Sequence, residues 1–391
     1  MGKWKLFSRE KEREEETRYI LSIDGGGMRG IIPAHILARL DALIKAEGDE
    51  RPLYSHFDLI AGTSTGALLA LALALPADSI SIEKEKGEDF LVRERVKEGL
   101  FRKERLIEKG YIARHADPAV LERIYLEEGE SIFPRKSTLS SLFGPIFTEK
   151  YSIDPFNSFL YRKFRDTELK DADVPVMAIS FSTLDDQIFA FRSWDSHGFS
   201  AVEAARASSA APLYFPPAKL KDRETGKDLV LIDGGVAANN PSLIAYSEAR
   251  KLYPDATRFV VLSLSTCSPD YSFDATESSG FTGLVNSPFS KMVMDAQLKV
   301  VHQAMESIPG VEYIRIWSPA IEKKIKLDDA SKESLSLLLN AAETTYIAKE
   351  PKLRNLARKL GDARTPDSVR LREIGSFPLL SQQEGSEENG D

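Results

Sequence analysis

The chain has 391 residues, of which 42% are hydrophobic and 29% charged, and its formal net charge is −8. This length fits one large α/β domain with extensions, and the composition requires no second core. The negative charge argues against a nucleic acid polymer as a partner, because such binding depends on a basic surface. The single cysteine, Cys267, excludes an internal disulfide framework. No apolar stretch reaches the length of a membrane span.

Residues 1–17 are mostly charged and predict a solvated N-terminal arm. The arm has neither the apolar segment nor the cleavage site of a signal peptide, and Leu6 stands where myristoylation needs serine or threonine. We therefore expect a cytoplasmic protein. The basic and aromatic residues from Lys3 to Phe7 leave open a peripheral contact with the inner face of the membrane, with an ordinary disordered terminus as the alternative.

The first part of the chain twice follows the order strand, glycine-rich turn, helix. Periodicity predicts a strand over 19–23, a glycine loop over 24–30 and a helix over 31–43, and then a strand over 57–61, a tight turn over 62–66 and a helix over 67–75. Further predicted strands cover 174–181, 187–192, 228–232, 258–264 and 311–316, and further helices 201–209 and 242–252. Such alternation predicts an α/β fold with a mainly parallel central sheet covered by helices on both faces.

The remaining segments divide the chain. Residues 77–108 are rich in charge and carry helical signals, which predicts a surface insertion, and residues 131–155 combine aromatic residues with turn formers, as a lid would. We expect a main domain over 18–345, followed over 346–391 by a helical extension and an acidic tail. From residue 381 the tail is polar enough to be disordered.

The glycine loop from Asp24 to Gly30 satisfies the G-x-G-x-x-G spacing between a strand and a helix, the setting of a dinucleotide-binding fingerprint. Against that interpretation, the next strand ends in Ala61-Gly62 rather than in an acidic residue for the ribose. No Gly-Lys-Ser or Gly-Lys-Thr follows, which excludes a P-loop. Backbone N–H groups at a helix N-terminus can bind an anion or stabilise an oxyanion. A tight turn without a ligand is the remaining alternative.

The turn Gly62-Thr63-Ser64-Thr65-Gly66 fits the G-x-S-x-G nucleophile elbow. Glycines at both ends allow the sharp turn, and the start of the helix favours negative charge on the Ser64 oxygen. Ser64 is therefore a candidate nucleophile. The alternative is an ordinary serine N-cap, since serine is a preferred cap in any case.

Spacing alone does not identify the base that would activate Ser64. The chain has five histidines, and only His302 lies late enough for an α/β-hydrolase triad, although its surroundings predict mid-helix. His35 falls on the helix after the glycine loop and fits packing. Asp233 follows the apolar strand 229–232 and would emerge at the carboxyl edge of the sheet, beside Gly25 and Ser64. On spacing alone, a catalytic carboxylate and a plain Asp-Gly turn are equally good interpretations.

The glycine loop, the elbow and Asp233-Gly234-Gly235 resemble, in order and spacing, the motifs of the patatin-like phospholipase family. The stretches 30–34 and 208–217 are similar as well, so the likeness covers roughly residues 18–265. The resemblance implies a three-layer α/β/α fold and a Ser–Asp dyad, with Ser64 as nucleophile and Asp233 as base. It further implies an oxyanion hole from Gly25, Gly26 and Gly27 with Arg29 nearby, and neither a metal nor an organic cofactor.

The resemblance also implies a function and leaves several points open. The expected reaction is hydrolysis of membrane glycerolipid or phospholipid acyl esters, in the manner of a phospholipase A, through an acyl-enzyme. Some bacterial proteins of this kind are antiphage effectors that a cyclic nucleotide activates, and we keep such an activator as a hypothesis. The alternative is a non-catalytic module that binds an anion or nucleotide through the glycine loop. Oligomeric state and lipid preference are not readable from the sequence.

Overall fold

The structure is a computed structural model that describes residues 16–76, 88–98, 103–113, 116–132, 153–195, 197–212, 214–266, 289–318, 325–363 and 372–377. Most of the N-terminal arm, most of the predicted lid and the C-terminal tail lie outside the described residues. The predictions made for those segments are therefore not compared with the structure.

An eight-stranded sheet forms the centre of the molecule, in the order β10-β9-β1-β2-β5-β8-β7, with β6 also paired to β5. The five strands from β10 to β5 run parallel, whereas β6, β7 and β8 join by antiparallel pairing. The strands are β1 Thr17–Ile23, β2 Leu59–Thr63, β5 Val176–Ser182, β6 Gln187–Arg192, β7 Ala218–Lys221, β8 Asp228–Asp233, β9 Arg258–Leu264 and β10 Val311–Ile316.

Helices cover both faces of this sheet. Along β1, Leu21 and Ile23 contact one helical layer and Ile20 contacts the other, since successive side chains of a strand point to opposite faces. The first layer contains α1 Ile31–Ala46, α2 Thr65–Ala74, α3 Pro118–Ile132, α4 Asp154–Phe164, α5 Ala201–Ser208 and α9 Lys332–Asp362; the second contains α6 Gly235–Ala238, α7 Ser242–Leu252 and α8 Phe289–Ser307. The predicted three-layer α/β/α class with a mainly parallel sheet is confirmed.

Strand β8 enters the sheet by a route that the sequence does not predict. It pairs antiparallel to β5, with Asp233 opposite Ser180, while Thr63 pairs with the preceding residue, Ile179. The end of β8 therefore lies almost level with the end of β2. Asp233 thus reaches the edge that carries Ser64, although β8 runs antiparallel to β5 and approaches that edge from outside the parallel strands.

The charge-rich segment at 77–108 is not helical where the structure describes it. Glu88–Glu98 (β3) and Lys103–Ala113 (β4) form an antiparallel pair, and Arg372–Phe377 (β11) joins β4 to give a separate three-stranded sheet. The helical prediction is wrong for these residues, because a high content of charged residues does not by itself distinguish a helix from a strand. The C-terminal segment predicted to be helical likewise contains β11.

Helix α9 crosses the predicted boundary at 345/346 without a break and packs along α1. His35 of α1 joins three helices, because its Nδ1 lies 3.0 Å from Glu122 of α3 and its Nε2 lies 2.8 Å from Glu343 of α9. Hydrogen bonding to Glu122 raises the pKa of the imidazole, burial opposes that shift, Glu343 adds to it and the nearby Arg39 opposes it. The imidazolium thus stabilises the junction of α1, α3 and α9.

We expect this junction to weaken with rising pH. A raised folded-state pKa gives a stabilisation that is complete below the unfolded value of about 6.5 and is lost as the pH rises through the folded-state value. The difference in unfolding free energy between wild type and His35→Gln, measured by urea unfolding from pH 5.5 to 9, should therefore shrink with pH. Glu122→Gln should remove part of the same dependence. A difference in unfolding free energy that stays constant over this pH range would contradict a protonated imidazole at His35.

Candidate active site

The elbow between β2 and α2 holds Ser64 in a strained conformation, with φ 55 and ψ −123. Such a positive φ is costly for a residue with a side chain and is typical of functional turns. A Cβ on Gly62 would collide with the carbonyl of Gly66, and one on Gly66 would collide with the carbonyl of Ile23. Glycine at both positions is therefore a packing requirement, and it lets the turn present the half-buried Ser64 at the helix N-terminus.

A buried serine fixes the backbone of the elbow. The N–H of Ser64 donates to Oγ of Ser208 at 2.9 Å, and that hydroxyl donates to the carbonyl of Ile179 at 2.5 Å. Ser208 is the last residue of α5 and is fully buried. The sequence marks this serine only as part of a stretch similar to the family, and its role in fixing the turn becomes visible once α5 is placed against β5.

Asp233 lies beside the serine and is 6% exposed. Its carboxylate is hydrogen-bonded to the side chain of Ser64 and accepts the N–H of Gly235 at 2.7 Å. Burial raises the pKa of this carboxyl to about 6, and the hydrogen bonds from Ser64 and Gly235 limit the rise. A carboxylate with such a pKa is deprotonated at neutral pH yet basic enough to accept a proton from a neighbouring hydroxyl.

The glycine loop lies against the elbow, and its N–H groups differ in availability. Gly25 is so close to Ser64 that a Cβ on it would lie 3.2 Å from the serine Cβ. Its own N–H donates to the carbonyl of Asn239 at 3.1 Å and is therefore occupied. Within the described residues, no hydrogen bond uses the N–H of Gly26 or Gly27. Among the residues that the structure describes, Gly26 and Gly27 are thus the loop glycines whose N–H groups remain free to bind an oxyanion.

Two arginines contact the loop in different ways. Arg29, named from the sequence, is half-buried, and its Nε donates to the carbonyl of Gly26 at 3.3 Å. Arg315 of β10 makes a bidentate ion pair with Asp24, with one bond of 2.7 Å, and both side chains are 2% exposed. The guanidinium also donates to Ser263 at 2.7 Å and stacks on Trp317. Sequence reasoning missed Arg315 because it is 291 residues from its partner.

The histidines considered as alternative bases lie elsewhere. His302 is on α8, where its ring packs against Tyr313 and Trp317 and its Nε2 lies 3.5 Å from Glu306. His35 is engaged in the junction of α1, α3 and α9 described above. The Ser64 side chain is hydrogen-bonded to Asp233 rather than to a histidine. Over the described residues, no group of three or more His, Cys, Asp and Glu side chains could hold a metal ion.

A serine on a strand-turn-helix elbow of an α/β sheet is the setting that the G-x-S-x-G motif has in ester hydrolases. Residues 21–246 match the family described as patatin-like phospholipase. The chain belongs to the patatin-like phospholipase family, and it is accordingly a lipid acyl hydrolase. This membership argues against the alternative of a non-catalytic module that binds an anion or nucleotide.

Curated relatives match most of the chain. Patatin-like protein 2 of Arabidopsis thaliana is 30% identical over 370 residues, covering 83% of this chain and 81% of the relative. A cGAMP-activated phospholipase of Pseudomonas aeruginosa is 28% identical over 356 residues, covering 88% of this chain and 90% of the relative. Patatin group M-3 of Solanum tuberosum is 27% identical over 371 residues, covering 86% of this chain and 85% of the relative. In the part of the chain that the structure describes, no helix has both the length and the apolar character needed to cross a bilayer.

Proposed function

We propose that the chain hydrolyses acyl esters of glycerolipids through a dyad of Ser64 and Asp233, in the manner of a phospholipase A. The observation that carries this proposal is the hydrogen bond between a serine on a strained elbow and a buried carboxylate whose pKa is about 6. The unused N–H groups of Gly26 and Gly27 support it, because they supply donors beside the nucleophile.

In the acylation step, Oγ of Ser64 attacks the ester carbonyl carbon while Asp233 accepts the hydroxyl proton. The carbonyl oxygen becomes an oxyanion, which the N–H groups of Gly26 and Gly27 stabilise with the dipole of the following helix. The tetrahedral intermediate then collapses: the bond from carbon to the glycerol oxygen breaks, and Asp233 returns its proton to that oxygen. The lysolipid alcohol leaves, and an acyl-enzyme remains on Ser64.

Deacylation repeats these steps with water as the nucleophile. Asp233, ionised again, takes a proton from a water molecule that attacks the acyl carbon, and the second oxyanion uses the same N–H donors. Collapse breaks the bond between carbon and Oγ, and the proton on Asp233 returns to Ser64. One carboxylate thus serves both half-reactions, which is why its pKa must lie near the working pH.

The direction of the pKa shift gives an expected pH profile. Since the base must be ionised, kcat/KM should fall about tenfold per pH unit below about 6 and level off above it. Initial rates of p-nitrophenyl ester hydrolysis from pH 4.5 to 8.5 test this, with circular dichroism at each pH to confirm folding. A profile that is flat between pH 4.5 and 7 in folded protein would exclude Asp233 as the base.

The substrate class can be tested directly. Vesicles of defined phospholipids, and in parallel a neutral diacylglycerol emulsion, are incubated with wild type and with Ser64→Ala, and released fatty acids and lysolipids are measured by mass spectrometry. We expect serine-dependent release of both products from phospholipid. Release from the neutral lipid alone would contradict a phospholipase, and release that persists in Ser64→Ala would contradict the dyad.

We further propose that a cyclic nucleotide activates the enzyme as an effector of antiphage defence. The support is the similarity to the cGAMP-activated phospholipase, which extends over 88% of this chain and 90% of that relative and so includes regions beyond residue 246, where the family match ends. Lipid release should be measured with and without a panel of cyclic di- and trinucleotides. We expect strong stimulation by one of them, and equal rates with every member of the panel would contradict this regulation.

A further inference from the structure

We propose that Thr266 and Asn239 are positioning residues that hold the peptide between Gly25 and Gly26, so that the N–H of Gly26 faces the oxyanion. This inference rests on the proposed function, because it concerns the stabilisation of the oxyanion in that reaction. Thr266 lies beyond the residues 21–246 that match the family, so family membership does not assign it a role.

Both polar groups of Gly25 are engaged. Its N–H donates to the backbone carbonyl of Asn239 at 3.1 Å. Its carbonyl accepts two hydrogen bonds, one from the hydroxyl of Thr266 at 2.5 Å and one from Nδ2 of Asn239 at 3.3 Å. Thr266 and Asn239 are 4% and 8% exposed, so little water competes for these bonds.

The two hydrogen bonds to the carbonyl of Gly25 fix the orientation of the N–H of Gly26. A peptide unit is planar and trans, so the carbonyl of Gly25 and the N–H of Gly26 point in opposite directions. When Thr266 and Asn239 hold the carbonyl on one side, the N–H of Gly26 is held toward the other. That N–H has no acceptor in the described part of the chain, and Gly25 itself lies against Ser64.

Neighbouring residues pack closely around this peptide. A Cβ on Gly26 would collide with Oγ1 and Cβ of Thr266, so the threonine side chain fills the space beside that glycine. The preceding residue is fixed as well, because the N–H of Asp24 donates to the carbonyl of Leu264 at 3.0 Å. The donor is therefore oriented before substrate arrives, as electrostatic catalysis requires.

Asn239 also contacts both the glycine loop and the segment that follows Asp233. It follows the short helix α6, which begins two residues after Asp233, and its Oδ1 would lie 3.1 Å from a Cβ on Gly235. The same residue therefore contacts the segment that carries the base and the loop that carries the oxyanion donors. Thr266 follows β9, the neighbour of β1, by two residues and contacts the glycine loop from there.

The decisive variant is Thr266→Val, which removes the hydroxyl and keeps the branched shape. We expect kcat for a p-nitrophenyl ester to fall about tenfold or more with KM within twofold, and Thr266→Ser to restore kcat to within about threefold of wild type. The affinity of a trifluoromethyl ketone, whose hemiketal with Ser64 places an oxyanion in the same position, should fall in parallel with kcat/KM.

Thr345→Val is the matched control. Thr345 is 1% exposed, and its hydroxyl is hydrogen-bonded to Ser318 and to the carbonyl of Ala341. Within the described residues this hydroxyl makes no hydrogen bond to the glycine loop, so the variant loses a buried hydroxyl without releasing Gly25 and should keep the wild-type kcat. Two results would overturn the positioning role, provided that wild type shows serine-dependent hydrolysis. The first is an unchanged kcat in Thr266→Val, and the second is a kcat in Thr266→Ser that is as low as in Thr266→Val. Absence of that hydrolysis in folded wild type, both without and with each cyclic nucleotide of the panel, would overturn the proposed function and this inference with it.

Discussion

Replacing Ser64 with alanine should lower kcat for lipid ester hydrolysis by about 10⁴-fold or more, because no acyl-enzyme can form without Oγ. The change removes one atom from a side chain whose backbone is fixed by Ser208, so the elbow should keep its shape. The oxyanion donors also remain, and substrate should still bind. The loss should therefore appear in kcat, with KM nearly unchanged.

The matched control for this variant is Ser307→Ala, the same chemical change at an exposed position near the end of α8. It should retain wild-type kcat in the same fatty acid release assay. Thermal unfolding of both variants shows whether the chain is folded. A Ser64→Ala protein that keeps more than a few per cent of wild-type kcat would mean that another group is the nucleophile.

Replacing Asp233 with asparagine should lower kcat by about 10³-fold or more and should at the same time stabilise the fold. The amide has the same shape as the carboxyl, and its oxygen can still accept the N–H of Gly235. It cannot accept the proton of Ser64, so neither half-reaction has a base. The expected loss is smaller than for Ser64→Ala, because the nucleophile itself remains.

The gain in stability follows from the pKa. Folding raises the pKa of Asp233 from 3.8 to about 6, so its contribution to stability is complete below pH 3.8 and is lost as the pH rises through about 6. Above that pH the buried charge costs about 3 kcal/mol, at about 1.4 kcal/mol per pKa unit. Asparagine stays neutral and removes this cost.

The unfolding free energies of wild type and Asp233→Asn should therefore be compared by urea denaturation at pH 5 and pH 8. We expect the variant to be more stable at pH 8 by about 2 to 3 kcal/mol, with a smaller advantage at pH 5. A variant that is inactive but less stable at pH 8 would indicate that the carboxylate is a structural acceptor, and its inactivity would then say nothing about a base.

Features that depend on neighbouring residues could be predicted from the sequence. The parallel strands, the helices that follow them and the elbow all rest on short-range rules: apolar periodicity, and glycine where the backbone approaches another backbone closely. Gly62 and Gly66 illustrate this, since the space that each one leaves is filled by a carbonyl. The candidate nucleophile could therefore be named before any contact was known.

Features that depend on long-range pairing could not be predicted. Nothing in the sequence of β8 tells whether it runs parallel or antiparallel to β5, so the route by which Asp233 approaches Ser64 was missed. Thr266 and Arg315 contact the glycine loop across 241 and 291 residues, and no local pattern identifies either one. The charged strands β3 and β4 were missed because a charge-rich composition does not distinguish a strand from a helix.

The most direct test of the dyad is covalent labelling. Wild type, Ser64→Ala and Asp233→Asn are treated with a long-chain fluorophosphonate, and the site of modification is mapped by peptide mass spectrometry. We predict a single adduct on the peptide that contains Ser64 in wild type, none in Ser64→Ala, and labelling slowed by about 100-fold or more in Asp233→Asn. An adduct on another residue, or labelling of Ser64 at the wild-type rate in Asp233→Asn, would contradict a mechanism in which Asp233 activates Ser64.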